Sequence, residues 1–357
     1  MSAPRVLILT GSGDGSSLWR VWQPAAELER QGYIVHWAPK DADNDALIAR
    51  IAVYQYNIIV LARVTWRVTD LDKAQYFIEM LHRLGMMVIY ECDDDMFLHV
   101  QDHLRDFVDA ERLASAQMAI HTVKLCDGIT VSTPRLQTVV EYVTGGSVPV
   151  ACVPNLLDLD WWESIQRQAQ RLLPPLVIGW AGAKRQDADL APMAEAWGRV
   201  ARRYPQINFL VQGWCPDVVR DAVPANRLHT LPFLAMEHYP AGLVNVDIGC
   251  ASVADTPFNA CKSVIKALEY GASGAAVVAT SALYHSIIRH NDTGLIANTA
   301  DEWTDALSHL VEDRQHAKLL TRRLRRRIVT EHNLQRHADR WIVAWSWLLE
   351  QRERRAA

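Results

Sequence analysis

The residues best suited to chemistry lie between Asp255 and Ala279. Lys262, Lys266 and Glu269 stand four and three apart, so they share one helix face. Ser263 adds a hydroxyl and backbone donors at the start of that predicted helix. Lysines beside free N–H groups at a helix N-terminus suit a diphosphate, because both carry positive charge toward the same point. A carboxylate one to two turns further on suits ribose hydroxyls. The spacing equally allows an exposed helix braced by a Lys–Glu pair.

A second cluster is Glu91-Cys92-Asp93-Asp94-Asp95, just beyond a strand predicted at Met86–Tyr90. The carboxyl end of a parallel strand is where open α/β sheets place ligands. An acid such as Asp93 or Asp94 there could bind a metal, orient an acceptor hydroxyl or act as a base; it could also cap a helix or face water. A third feature is the loop Gly11-Ser12-Gly13-Asp14-Gly15-Ser16-Ser17. Its alternating glycines, with Gly13 at the centre, let backbone N–H groups approach an anion or a sugar. Ser16 stands where a dinucleotide fingerprint needs its third glycine, so the loop is a poor NAD motif.

Short apolar runs separated by amphipathic stretches must position these residues. Strands are predicted at Val6–Leu9, Ile34–Ala38, Asn57–Leu61, Met86–Tyr90, Ile129–Val131 and Val148–Val153. The helix Leu18–Gln31 is closed by Gly32, Asp43 caps the next helix, and Ser132-Thr133-Pro134 opens another. The rhythm breaks between Asn155 and Pro175, around a short helix near Trp161–Gln170. It then restarts with strands at Val177–Trp180, Ile207–Gln212, Leu228–Leu231, Val246–Cys250 and Ala276–Ala279. Helices at Asp189–Arg202 and Ser263–Tyr270 lie between them, and the end is helical over Asp301–Glu312, Gln315–Thr330 and Leu334–Arg354. Repeated βαβ units mean parallel sheets, and right-handed crossovers make each doubly wound. The expected organisation is a first Rossmann-like domain over 1–155, a linker over 156–175, a second over 176–335 and a terminal helix over 336–357.

The 357 residues are half hydrophobic with a net charge of −4, enough for two cores and weak for nucleic-acid binding over the whole surface. The six cysteines form no CxxC pair, which argues against a zinc site and for reduced core thiols. No signal peptide is read at the N-terminus, and no run approaches the ~20 apolar residues of a membrane span. The expectation is a cytoplasmic protein with no transmembrane segment, whose membrane association, if it has any, is peripheral. Arg322-Arg323-Leu324-Arg325-Arg326-Arg327 could meet phosphates, although a solvated helix face is the commoner meaning of such a run.

The segment P-F-N-x-x-K-S-x-x-K-x-L-E-Y at Pro257–Tyr270, followed by a small-residue turn and Val277-Val278-Ala279, resembles the donor-binding motif of GT-B glycosyltransferases of the retaining, nucleotide-sugar-dependent class. Ile178-Gly179-Trp180-Ala181-Gly182 resembles the first strand and turn of the donor domain in that family, and Val246-Asp247-Ile248-Gly249 the strand before the motif. Asn291-Asp292-Thr293-Gly294-Leu295 resembles a later turn, and Glu302-Trp303 with Ala306-Leu307 the helix after it. The likeness is good over about 176–345 and looser over the first 155 residues. It implies two Rossmann-like domains facing across a cleft, with the last helices crossing back to the first domain through Trp341, Trp345 and His337.

By that resemblance Glu269 holds the ribose, Lys262 and Ser263 contact the diphosphate with Lys266 beside them, and Lys184 or Arg185 stabilises the leaving diphosphate. Gly182, Asp255 and Asn259 line the donor site with Gly13. Asp94 joins the catalytic set, and Arg20 and Asp93 face the acceptor. The family's first glutamate is replaced by Cys261, which bears on how the sugar is held. The implied reaction is hexosyl or pentosyl transfer with retention, from a nucleotide-diphosphate sugar such as a UDP-sugar, without cofactor or essential metal. The acceptor is open: a glycan, a lipid-linked glycan, a small molecule or a modified DNA base. A nucleotide-sugar epimerase and a non-catalytic binding protein are the competing readings.

Overall fold

The computed structural model describes residues 3–11, 15–40, 42–63, 71–99 and 110–356. Two compact units emerge. The first comprises Met1–Leu156, Cys261–Ser263 and Leu334–Ala357; the second comprises Leu157–Ala260 and Val264–Asn333.

In the first unit six apolar runs form β1 (Val6–Thr10), β2 (Val35–Pro39), β3 (Ile58–Ala62), β4 (Met87–Cys92), β5 (Gly128–Val131) and β6 (Val150–Cys152). They pair in parallel in the order β2-β1-β3-β4-β5-β6. β1, β3, β4 and β5 are buried along their whole length, as parallel strands covered on both faces must be. One face packs on the helices Leu71–Arg83, Ala110–Leu125 and Pro134–Thr144 through Ile78, Leu81, Val123 and Leu136. The other packs on Val21, Ala25 and Leu28 and on the terminal helix Asp339–Ala356, which buries Trp341 and Trp345. Each large apolar side chain so buried contributes about 1.5–3 kcal/mol.

Local signals set the boundaries. Gly32 and Gly85 end their helices with φ of 89° and 79°, a left-handed conformation that only glycine adopts without strain. Asp43 accepts from Ala46 N at 2.9 Å, and Thr133 accepts from Leu136 N at 3.2 Å with Pro134 as the first helical residue. The helix expected over Leu18–Gln31 differs in detail. It opens with a π-turn at Leu18–Trp22 before the α-helix Gln23–Arg30.

The second unit repeats the plan with β7 (Val177–Gly182), β8 (Asn208–Gly213), β9 (Leu228–Leu231), β10 (Ile248–Ala251), β11 (Ala276–Ala279) and β12 (Leu295–Ile296), all parallel, in the order β12-β11-β10-β7-β8-β9. β12 has two residues, too few to carry a period, and lies where a turn is expected. The helices Ala191–Arg203 and Ala300–Glu312 close one face around Trp197 and Trp303. Gly249 has a packing reason: a Cβ there would lie 2.3 Å from the Tyr270 ring, which covers β10 and accepts at its hydroxyl from Ala181 N at 2.8 Å. All six cysteines are free. No described helix is long and apolar enough to cross a membrane.

Candidate functional site

In the second unit the strand order reverses between β10 and β7, and open α/β sheets bind ligands outside the carboxyl ends of strands at such a point. The helix Ile265–Ala272 delivers Glu269 to this end almost completely buried. Its Oε2 accepts from Tyr239 Oη at 2.8 Å and from Lys266 Nζ at 2.9 Å. Lys266 also contacts Tyr239 Oη at 2.8 Å and lies 4.9 Å from the centre of that ring. Burial, reinforced by the Glu269 charge, pushes the Tyr239 phenol well above its ordinary range, so it stays a donor. No donor from the described residues reaches Glu269 Oε1. The carboxylate is fixed through one oxygen and retains an acceptor on the other.

Around the switch point a second carboxylate organises the loops. Asp189 is buried and accepts from Ala254 N at 2.9 Å and Asn259 Nδ2 at 2.7 Å; its carbonyl accepts from Ser252 Oγ at 2.6 Å. Asn259 Oδ1 is buried without a partner. Asp189, Ser252, Asp255, Thr280, Ser281 and Asn298 line a cavity of about 330 Å³, which falls in the range of small-molecule sites. Lys184 and Arg185 follow β7, the first exposed and the second half-buried. Arg185 is close enough to Tyr284 for its charge to oppose the upward push of burial on that phenol. Gly182 is fixed by packing, since a Cβ there would sit 2.7 Å from the Trp180 ring. Phe233 lies 63% exposed after β9, its ring edge over Gly213 at the end of β8.

Lys262 requires a correction. The helix begins at Ile265, so Lys262 does not share a helix face with Lys266 and Glu269, and Ser263 is not its first residue. Residues 261–263 belong to the first unit because its side chains hold them there. Lys262 Nζ lies 3.0 Å from Asp94 Oδ1, Thr133 Oγ1 donates to Cys261 O at 2.8 Å, and Asn155 Nδ2 donates to Ser263 Oγ at 3.0 Å. Cys261 is fully buried in the first unit's core, and burial pushes its thiol up to about 12.

In the first unit the polar residues gather at the carboxyl ends of β1, β3, β4 and β6. Arg20, expected to face the acceptor, is almost completely buried. Its Nε donates to Glu91 Oε1 at 2.7 Å, and its Nη1 donates to Val153 O at 2.5 Å and Asn155 Oδ1 at 2.8 Å. The guanidinium lies 4.3 Å from the centre of the Trp341 ring, and its Nη2 is buried without a partner. Glu91 also accepts from Thr130 Oγ1. Burial pushes its carboxyl up to about 7, against the pull of Arg20 and Thr130.

The three aspartates after Glu91 take three roles. Asp93 pairs with Arg63 at 3.2 Å, Asp94 with Lys262, and Asp95 caps the following turn by accepting from Phe97 N, Leu98 N and His99 N. Arg63 has a left-handed backbone, φ 49°, and also donates to Ser16 Oγ. A cavity of about 10 Å³ lies among Ser16, Arg20, Arg63, Glu91 and Asp93, too small for a sugar or a phosphate group. Gly13 lies outside the described residues.

The sequence reading places Glu91 in the acidic cluster without giving it a role, and it misses Arg63, Asn155, Asp189, Tyr239 and Phe233. Among the described residues no group of three or more His, Cys, Asp or Glu side chains is placed to hold a metal ion.

Residues 175–313 match the family model for glycosyl transferases group 1. No match was found among curated protein sequences. Among solved structures the chain is similar to a sucrose-phosphate synthase from Thermosynechococcus elongatus, with TM-score 0.70 and 14% identity, over 97% of this chain and 99% of that one. It is similar to HepE from Anabaena in complex with UDP and glucose, with TM-score 0.65 and 15% identity, over 95% and 98%. A putative UDP-N-acetylglucosamine 2-epimerase from Listeria monocytogenes aligns with TM-score 0.56 and 10% identity, over 98% of both chains. The fold is GT-B, two Rossmann-like α/β domains.

Proposed function

We propose that this GT-B chain, whose residues 175–313 form a glycosyl transferases group 1 domain, transfers a sugar from a nucleotide-diphosphate sugar to an acceptor hydroxyl or amine. The observation that carries this reading is Glu269, buried at the sheet's switch point with one oxygen fixed by Tyr239 and Lys266 and the other open as an acceptor. A ribose presents adjacent hydroxyls, which such a carboxylate binds through charge-assisted hydrogen bonds. Lys184 and Arg185 lie after β7 at the same end of the sheet.

The bond that breaks joins the anomeric carbon to the diphosphate. Its electron pair goes to the leaving phosphate, whose charge must be stabilised as it develops. We assign that stabilisation to Arg185 and Lys184, with Lys266 supporting Glu269. Lys262 contributes by exchanging its contact with Asp94 for a phosphate oxygen, and Ser263 by turning its hydroxyl to the same group. Gly182 brings backbone close to the diphosphate, and Asn259 holds Asp189 and the 254 loop at the sugar. Asp94, once released, orients or deprotonates the acceptor, with Asp93 beside it. Arg20 is a positioning residue for Glu91 and Asn155.

Retention in this proposal means that the acceptor atom bonds to the anomeric carbon from the face the diphosphate leaves, where lysine and arginine charge stabilises the leaving group. The same charge replaces a divalent metal, so activity should survive EDTA; collapse in EDTA would refute the metal-free part. UDP is the first nucleotide to test, because HepE, a structure of the same fold, holds UDP and glucose.

A thermal-shift panel of UDP, GDP, ADP, TDP and CMP with their sugar conjugates tests the donor site. One nucleotide class should raise the melting temperature of the wild type and not of Glu269→Ala; no shift with any nucleotide would overturn the reading. An epimerase is the second reading, favoured by the likeness to the Listeria structure. It predicts free or epimerised sugar without any acceptor, which product analysis distinguishes.

A further inference from the structure

The helix Arg314–Glu331 carries the arginine run, which the site above does not use. Its apolar positions Ala317, Leu320, Leu324 and Ile328 are buried in the second unit. The arginines fall into two sets. Arg323 lies 3.0 Å from Asp292, Arg325 pairs with Glu163 and donates to Ala272 O at 3.1 Å, and Arg327 lies 2.9 Å from Glu331 and donates to Ile287 O at 3.0 Å. These three bind the helix to the unit.

Arg322 and Arg326 are exposed, and their side chains make no ion pair or hydrogen bond. Lys318, one turn earlier, is also exposed and unpaired. Positions 318, 322 and 326 form one i,i+4 ridge, inclined to the helix axis and rising about 12 Å along it at 1.5 Å per residue. Arg289, exposed and unpaired, sits on the loop that Arg323 and Arg327 hold against the helix. Among the described residues the acids paired to arginines of this helix are Glu163, Asp292 and Glu331, on a chain with a net charge of −4.

Like charges at i,i+4 repel one another, so this row stabilises nothing within the chain. Its favourable interaction lies with an anion outside. We propose that the row Lys318–Arg322–Arg326, with Arg289 beside it, docks the protein electrostatically on an anionic phospholipid surface. Guanidinium forks bind phosphate oxygens in pairs, and a ridge on the solvent face of one helix meets a plane of headgroups. None of the large exposed hydrophobic side chains lies on this helix, so the contact is adsorption rather than insertion. The helix also has no aromatic side chain on which a base could stack, which favours a lipid surface over single-stranded nucleic acid.

Co-sedimentation tests this with vesicles of phosphatidylcholine alone and of phosphatidylcholine with about one-third phosphatidylglycerol, at about 0.1 M salt, where the screening length is about 10 Å. The wild type should bind only the anionic vesicles. Each basic residue near such a surface contributes about 1 kcal/mol, so Lys318→Gln/Arg322→Gln/Arg326→Gln should lower the partition coefficient roughly 100-fold. The triple variant should unfold at or slightly above the wild-type temperature, because the three side chains make no ion pair or hydrogen bond and repel one another, and Arg322→Lys/Arg326→Lys should retain binding. Equal binding by wild type and triple variant, equal binding to both vesicle types, or no binding to either would overturn the proposal. Tighter capture of a short DNA duplex than of the anionic vesicles would overturn it in favour of nucleic acid.

Discussion

Arg20 and Glu91 in the first unit lie 2.7 Å apart with side chains each 2% exposed. Lys266 and Glu269 in the second lie 2.9 Å apart, but the lysine is 23% exposed. Both are cation–carboxylate pairs at the carboxyl end of a parallel sheet. The first is closed: the guanidinium spends Nε and Nη1 on Glu91, Val153 and Asn155 and stacks on Trp341, beside a cavity of about 10 Å³. The second is open, with one carboxylate oxygen unclaimed, in a domain that also holds a cavity of about 330 Å³ at the same end of its sheet. One pair holds a scaffold and the other presents an acceptor. Position at the sheet end does not make a residue a ligand contact, and neither does the one unpartnered Nη2 of Arg20 beside so small a cavity; unsatisfied hydrogen-bonding capacity with room for a ligand does.

The largest expected effect falls on the closed pair. Removing the Glu91 carboxylate leaves the Arg20 guanidinium charged and buried, which costs about 3–5 kcal/mol. Glu91→Gln should lose that much in urea unfolding at about pH 8, above the Glu91 titration; Arg20→Met should lose less, because the Glu91 carboxyl left behind can take a proton, and Arg20→Met with Glu91→Leu should recover most of the loss. A Glu91→Gln variant within about 1 kcal/mol of the wild type would remove the scaffold role.

The open site should answer in activity and binding instead. Arg185→Ala should lower kcat by about 10²–10³, the loss seen when one preorganised group that stabilises developing charge is removed, with thermal stability unchanged. A fall confined to KM would move Arg185 from the leaving group to ground-state binding. Glu269→Gln should weaken nucleotide affinity by about 1.5–3 kcal/mol, the value of hydrogen bonds to a charged group. If titration calorimetry finds the affinity intact, the ribose lies elsewhere.

Phe233 sharpens the contrast further. We assign to its exposed ring, over Gly213, the stacking of the donor's nucleobase. Phe233→Ala should cost about 1–3 kcal/mol in nucleotide binding and nothing in folding.

The α/β class and the strands that carry a period were legible because buried parallel strands and capped helices leave local marks: Val6–Leu9, Asp43, Thr133-Pro134 and Gly32. β12 was not, because two residues carry no period. The donor-side residues were legible as a motif, yet the face shared by Lys262, Lys266 and Glu269 was not real. The sequence between Ala260 and Ile265 looks helical, but Asp94, Thr133 and Asn155 hold it. Those partners are more than a hundred residues away in sequence, so no local pattern could reveal them. Asp189 and Tyr239 were invisible for the same reason. Each gains its role from a residue dozens of positions distant, 70 for Asn259 and 30 for Glu269.

The smallest effect separates the two pairs by pH. Burial raises the Glu91 carboxyl to about 7 in the folded protein, against about 4.3 in an unfolded chain. Between those values the folded state binds more protons than the unfolded state, so this group makes stability fall as pH rises. Its contribution is fully present below the unfolded value and is lost as pH passes through about 7. From about pH 6 to 8 the loss should be about 1 kcal/mol. Subtracting the pH profile of Glu91→Gln isolates it, because the other titrating groups are common to both proteins. A flat difference across this range would mean that Arg20 and Thr130 hold Glu91 ionised throughout, which would make the closed pair a plain buried salt bridge.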